Sequence, residues 1–264
     1  MMRKIAAILL ILIGAMPLSA NPMLQEAVDT YNQALETDDA ALRSERFRRS
    51  ARLFGQVIDQ IRISNSNLQA NLGNAALQSE QLGQAILAYR RALAIDPGHA
   101  RAKRNIEHAR RLLPDWVPRP QSDLLFDTFF TWHRTMSRGQ RAMAAALCFA
   151  LTCILLAIAI RWRRTWARFI AILPAAAWLI LMGLTLWQQR AGVANDAVVI
   201  APQTIAHAAD AAGAPKRFAE PLVSGIEVTI LEQRNGWSRI ALASGRDGWV
   251  RSSAIERVQL LPNL

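Results

Sequence analysis

Three patterns of apolar and polar positions divide this chain. In its middle, residues 142–160 and 169–187 form two runs of 19 residues each without a charge. As helices rising about 1.5 Å per residue, both runs are just long enough to cross a hydrocarbon core of about 30 Å. Ahead of them the apolar residues recur at helical spacing. Leu24, Ala27, Val28, Tyr31, Ala34 and Leu35 predict a helix over 22–36, with Asn21 as its cap and Pro22 in its first turn, and Leu53, Phe54, Val57, Ile58 and Ile61 predict one over 40–63. Behind them come short β-type runs at 198–200, 228–231, 237–242 and 248–250, parted by Ser224-Gly225, Arg234-Asn235-Gly236 and residues 244–248. The pattern predicts a multi-domain membrane protein made of an all-α solenoid, a two-helix transmembrane hairpin and a small all-β barrel.

The segment joining the two apolar runs, 161–168, holds Arg161, Arg163, Arg164 and Arg168 with Trp162 and Trp166, and no acid. The positive-inside rule keeps such a loop in the cytoplasm, sets its tryptophans at headgroup depth and turns both flanking regions outward. A buried helix pair in a soluble protein is the alternative, and it leaves the arginine cluster unexplained. The N-terminus agrees with this orientation. Arg3-Lys4, an apolar stretch over 5–13 too short to span, and Leu18-Ser19-Ala20 read as a signal peptide over 1–20; uncleaved, it would anchor the same regions outside. The expected location is therefore a bacterial cytoplasmic (inner) membrane, crossed more than once, with N- and C-terminal domains in the periplasm.

Charge and cysteine usage refine this picture. Much of the net +11 lies in residues 138–190, which carry seven arginines and no acid, whereas 191–264 hold seven residues of each sign. Neither flanking region has the positive field that nucleic-acid binding requires. Cys148 and Cys153, both in the first apolar run, point in different directions around a helix and read as small apolar packers.

Residues 66–99 carry a repeat signature. Counted from Ser66, the residues Leu72, Gly73, Ala76, Ala85, Tyr89, Ala92 and Pro97 fall at positions 7, 8, 11, 20, 24, 27 and 32 of a 34-residue frame, where a tetratricopeptide repeat needs small or aromatic residues. The small residues let two helices approach, Tyr89 fills the space between them, and Pro97 ends the second helix. Ser66 with Gln69 is expected to form a capping box. One repeat cannot bury its own apolar face, so 22–63 is read as a degraded neighbour and 100–113 as a capping helix, giving a solenoid over 21–113. Pro114, Pro118 and Pro120 then open a linker over 114–141. Within it, Leu124, Leu125, Phe126, Phe129, Phe130 and Trp132 place an amphipathic helix at 122–136, lying in the outer membrane interface or packed back on the solenoid.

In the last region, 191–262, Gly225, Val228, Gly236-Trp237, Ile240, Leu242, Gly245 and Gly248-Trp249-Val250 resemble a bacterial SH3 domain, whose two Gly-Trp units straddle a hairpin. Residues 204–221 correspond to that family's variable loop, and Trp237 and Trp249 read as barrel core rather than ligand platform. The succession of signal peptide, repeat solenoid, proline linker, membrane hairpin and SH3-like domain resembles the BatE family of the aerotolerance (Bat) operon. That resemblance implies a non-enzymatic membrane protein working beside von Willebrand factor A-type Bat membrane proteins and, indirectly, a MoxR-type AAA+ ATPase, in envelope integrity or stress and oxygen tolerance.

Residues suited to catalysis are sparse. His99, His108, His133 and His207 have no metal-ligand spacing, and no nucleophile elbow, phosphate-binding loop or dinucleotide fingerprint occurs. The adjacent Asp38 and Asp39 read as helix caps. The expectation is no catalytic residue, no cofactor and no metal, with binding as the function. In the repeat frame, the concave groove is lined by Asn67, Ala70, Asn74 and Gln78, then by Arg101, Arg104, His108 and Leu113 of the capping helix. Amides facing arginines can hydrogen-bond an extended backbone and pair with a carboxylate; the alternative is a merely solvated polar face. Two other functions compete with a scaffold: anchoring to peptidoglycan through the SH3-like domain, and cytochrome c maturation, in which the spans would precede the repeats.

Overall fold

The computed structural model describes residues 21–61, 65–118, 138–162, 165–190 and 195–258. Five helices come first: α1 (Pro22–Leu35), α2 (Ala40–Ile61), α3 (Ser66–Gln78), α4 (Leu82–Ile95) and α5 (Ala100–Arg111). Most begin where a side chain can accept from the orphan first-turn N–H groups. Asn21 accepts from Met23 and Leu24 at 3.0 and 3.3 Å, and Asp39 accepts from Ala41 and Leu42 at 2.8 and 3.0 Å. The same two N–H bonds hold the Asp39 carboxyl below the usual carboxylate range. The capping box expected of Ser66 and Gln69 does not form. Asn65, one residue earlier, accepts from Asn67 and Leu68 at 2.9 and 3.1 Å, and the Gln69 side chain is buried.

The close helix packing centres on Tyr89, which is fully buried. A Cβ on Gly73 would lie 2.6 Å from the Tyr89 ring, so only glycine lets α3 sit against α4 here. Ala76, Ala85 and Ala92, all inaccessible, complete the contact.

The C-terminal region forms a five-stranded antiparallel sheet in the order β6-β5-β4-β1-β7, with β1 (Asp196–Val199), β4 (Glu227–Arg234), β5 (Trp237–Leu242), β6 (Asp247–Arg251) and β7 (Ile255–Arg257). A separate pair, β2 (Gln203–Thr204) with β3 (Leu222–Val223), lies beside it. Asn235 and Gly236 both have positive φ, 50° and 75°, the geometry of a tight hairpin turn between β4 and β5. The expected closed barrel is absent, because the outer strands β6 and β7 are not paired with each other. Each has another partner at its free edge. His207 exchanges backbone hydrogen bonds with Trp249 of β6 at 2.7 and 2.8 Å, and the Arg91 guanidinium of α4 donates to the carbonyls of Arg257 and Val258 at 2.9 and 3.3 Å.

Solenoid and sheet are packed on each other, and one buried cluster runs from Ala27 through Tyr89 and Ile86 to Val198, Ile226 and Ile240. Two glycines make the approach possible. A Cβ on Gly83 of α4 would fall on the Ser224 hydroxyl and within 2.9 Å of the Val199 carbonyl. Gly225 has φ +102°, and a Cβ there would stand 3.1 Å from both Ile86 and Leu113. Around these glycines the solenoid places Arg90, Arg91 and Arg110 against sheet carboxylates. Arg90 reaches Asp196 at 2.5 Å and Glu227 at 3.2 Å, Arg91 reaches Glu256 at 2.8 Å, and Arg110 takes both oxygens of Glu227 at 2.9 and 3.0 Å.

Between solenoid and sheet in the sequence stand two further helices packed side by side, α6 (Arg138–Arg161) and α7 (Thr165–Arg190), with Phe149 and Trp178 ring centroids 5.5 Å apart. Within α6, Met143–Arg161 has mean hydropathy 2.7 and is long and apolar enough to cross a membrane, and almost none of it is buried. That exposure separates it from the core helix of a soluble fold. The second expected span, 169–187, is only partly matched. Among the described residues the apolar stretch of α7 is Phe169–Gly183, too short for the same criterion, and the helix contains Pro174. The connecting loop is also shorter than expected, since α7 already begins at Thr165. The amphipathic helix expected at 122–136 and the signal peptide at 1–20 lie outside the described residues.

Candidate partner-binding face

The first helix of each pair, α1 and α3, shares a face with α5. His99, at the N-cap of α5, fixes one end of it. Its Nδ1 accepts from the Ala102 N–H at 3.1 Å, so the neutral ring carries its proton on Nε2, which donates to the Asn67 Oδ1 at 3.1 Å. That bond ties α3 to α5 and leaves the Asn67 amide group, a double donor, facing solvent. Two helical turns further on, the Asn74 Oδ1 accepts from both the Tyr89 hydroxyl at 2.9 Å and the Asn105 amide at 2.7 Å. Burial pushes the phenol of Tyr89 far up, so it stays a hydroxyl and a donor at any physiological pH.

Arg101 of α5 lies near Tyr31 of α1. Burial raises the Tyr31 phenol pKa while the nearby Arg101 guanidinium opposes that rise, and the Tyr31 ring stands edge-on to Phe47 at 5.1 Å. Arg101, Arg104 and His108 are exposed along α5, and Asn67 and Gln78 are exposed on α3. Among the described residues neither Arg101 nor Arg104 makes a salt bridge, in contrast to Arg90, Arg91 and Arg110, which the sheet neutralises. The uncovered face thus offers hydrogen-bond donors and positive charge, while the acceptor oxygens of Asn67 and Asn74 are already committed within the protein.

Of the six polar residues expected from the repeat frame, Asn67 and Asn74 are brought against α5 through His99 and Asn105. Gln78 and His108 stand exposed toward the C-terminal ends of α3 and α5. Two apolar positions assigned to the groove are elsewhere. Ala70 is wholly buried in the core, and Leu113, 8% exposed, packs beneath Gly225 of the sheet region. Tyr31, His99 and Asn105 were not legible as site residues. His99 ends the 34-residue frame, where only its capping position hinted at a role.

Residues 66–99 match the family model of the tetratricopeptide repeat. No curated protein and no solved structure matches the chain. The match spans α3, α4 and the cap of α5, the segment that carries Gly73, Tyr89 and the His99–Asn67 bond. Repeats of this family usually mediate binding of protein partners.

Proposed function

We propose that this chain is a non-enzymatic, membrane-anchored adaptor that binds protein partners through its α1–α3–α5 face. The observation that carries the reading is the division of the solenoid's arginines: Arg90, Arg91 and Arg110 are consumed by the sheet, while Arg101 and Arg104 stay open beside the Asn67 and Asn74 amides. A donor-rich face of this kind suits an extended, carboxylate-bearing segment.

Membrane anchoring rests on the exposed apolar surface of α6 and on a topological argument. Solenoid and sheet share a core, so they must lie on one side of any membrane, and the chain between them must cross it an even number of times. If α6 crosses, α7 returns, with its C-terminal residues completing the span. The four arginines between the helices, Arg161, Arg163, Arg164 and Arg168, favour a cytoplasmic loop and a periplasmic head. The order of parts resembles the BatE family, and with it von Willebrand factor A-type and MoxR-type AAA+ partners in envelope or stress tolerance. Anchoring to peptidoglycan through an SH3-like surface is the weaker reading. Trp237 and Trp249 are 5% and 6% exposed, lying beneath the guanidiniums of Arg251 and Arg234 at 4.2 and 4.7 Å, and offer no open stacking platform.

The test is affinity capture with the full-length protein in detergent, followed by mass spectrometry. Arg101→Glu with Arg104→Glu should remove the captured partners, and capture by the unaltered protein should weaken as salt rises. Retained capture by the double variant would refute the reading.

A further inference from the structure

Leu231 breaks the alternation of β4. The strand buries every second side chain through Ile230, then a bulge shifts its register against β5, and from Leu231 to Arg234 every residue is exposed. The bulge turns the Leu231 side chain to solvent, 52% exposed, on a hairpin arm whose other exposed residues are polar. A single exposed leucine needs no explanation by itself. Its place along the chain path supplies one.

β1 is antiparallel to β4, with Asp196 opposite Thr229, so β4 continues past the start of β1 toward the side from which the chain arrives. From Thr229 to the turn at Asn235 and Gly236 this overhang is about 15 Å. The chain arrives from α7, and the peptide steps from Arg190 to Asn195 reach at most about 18 Å. The tether therefore holds the end of α7 about as near to β1 as the hairpin tip extends. If α7 crosses a membrane, the β4–β5 tip stands at the level of its lipid headgroups.

Charge at the tip fits that surface. Arg234, Trp237 and Arg251 stand opposite one another in a single cross-strand row beside the turn. The Arg251 guanidinium lies over the Trp237 ring at 4.2 Å, and that of Arg234 over the Trp249 ring at 4.7 Å, which holds both planes in place. Arg234 is shared with Asp210 at 3.0 Å and Glu232 at 3.6 Å, whereas Arg251 is exposed and has no salt bridge among the described residues. An aliphatic side chain beside a fixed, open guanidinium suits the boundary of a bilayer, where acyl chain and phosphate lie close together. We propose that the β4–β5 hairpin rests on the phospholipid leaflet facing the head, with Leu231 entering the interface and Arg251 meeting a lipid phosphate. This rests on the reading of α6 and α7 as membrane spans.

The test uses full-length protein with Cys148 and Cys153 replaced by alanine, in nanodiscs of phosphatidylcholine and phosphatidylglycerol. A nitroxide is attached at Leu231→Cys, at Leu151→Cys within α6, or at Ser244→Cys beyond the far end of β5, and its collisions with oxygen and with a water-soluble nickel chelate are compared by electron paramagnetic resonance. Position 231 should favour oxygen, as position 151 does, and position 244 should favour nickel. Arg251→Gln should move the label at 231 toward the value at 244 and leave that at 151 unchanged. Glu232→Cys, exposed beside Leu231, gives a second reading if Leu231→Cys folds poorly. If 151 favours oxygen while 231 and 232 match 244, the hairpin stands in water and the proposal falls while the anchoring reading survives. Nickel access at 151 would overturn both. A label at 231 shielded from both reagents, showing protein rather than lipid over it, or one indifferent to Arg251→Gln, would also overturn the proposal.

Discussion

Tyr89 leaves no room at Gly73, and that contact sets the sharpest residue-scale expectation. Gly73→Leu would drive a side chain into the ring that joins α3 to α4, and overpacking of this kind costs about 1–3 kcal/mol. The melting temperature of the full chain should fall by several degrees; no change would mean that the helices do not meet there. Asp196 and Glu227 give a second, paired expectation. Burial pushes the Asp196 carboxyl above its usual 3.8, Arg90 opposes that shift, and Glu227 adds to it because both carboxylates share one guanidinium. The folded protein therefore holds this proton more tightly than the unfolded chain. Asp196 adds stability as pH falls through its raised pKa and subtracts from it above. Asp196→Asn should leave stability at pH 7 unchanged or higher. Glu227→Ala should lower it by about 1.5–3 kcal/mol, because Arg110 then keeps only the exposed Glu107 and Arg90 only Asp196. Urea melts at pH 7 separate the two.

At the scale of elements, the helices were legible because 3.6-residue periodicity and short polar caps are local signals. The correction at α3 shows the limit of such signals. Ser66 and Asn65 are both competent caps, and only the chain direction into the helix selects Asn65. Asn65→Ala should therefore cost about 1 kcal/mol while Ser66→Ala costs little, as thermal melts of the two variants would show. The four longer strands were anticipated, whereas β2, β3 and β7, of two or three residues, are too short to display alternation. The open sheet has an edge that no strand pattern reveals: an arginine from a helix distant in sequence meets β7 there. Gly225 belongs to this scale as well. It looked like a turn residue, and its positive φ agrees, yet it is also where the sheet region meets Ile86 and Leu113. Gly225→Ala should loosen the docking, exposing α4 backbone to faster hydrogen exchange; unchanged exchange would mean that the contact carries no load.

At the scale of the molecule, what the sequence concealed was the union of its two ends. Arg90 and Asp196 are 106 residues apart, and Arg91 and Glu256 are 165 apart, with two apolar helices between, so no window of the chain displays the pairing. The repeat frame expected Asn67, Asn74, Arg101 and Arg104 on one face; that α5 lies beside α3 was readable, while its contacts to Asn67 and Asn74 through His99 and Asn105 were not. Which arginines would remain open was not readable either, since it depends on where the sheet docks. The union also constrains topology more tightly than hydropathy does, because it requires both ends on one side. Single cysteines at two exposed positions, Gln78→Cys on α3 and Ser244→Cys after β5, in full-length protein with Cys148 and Cys153 replaced by alanine, test this directly. In spheroplasts treated with a membrane-impermeant maleimide, both positions should be labelled before lysis. Labelling of one position but not the other, or of neither until the cells are broken, would contradict a single docked head outside the membrane.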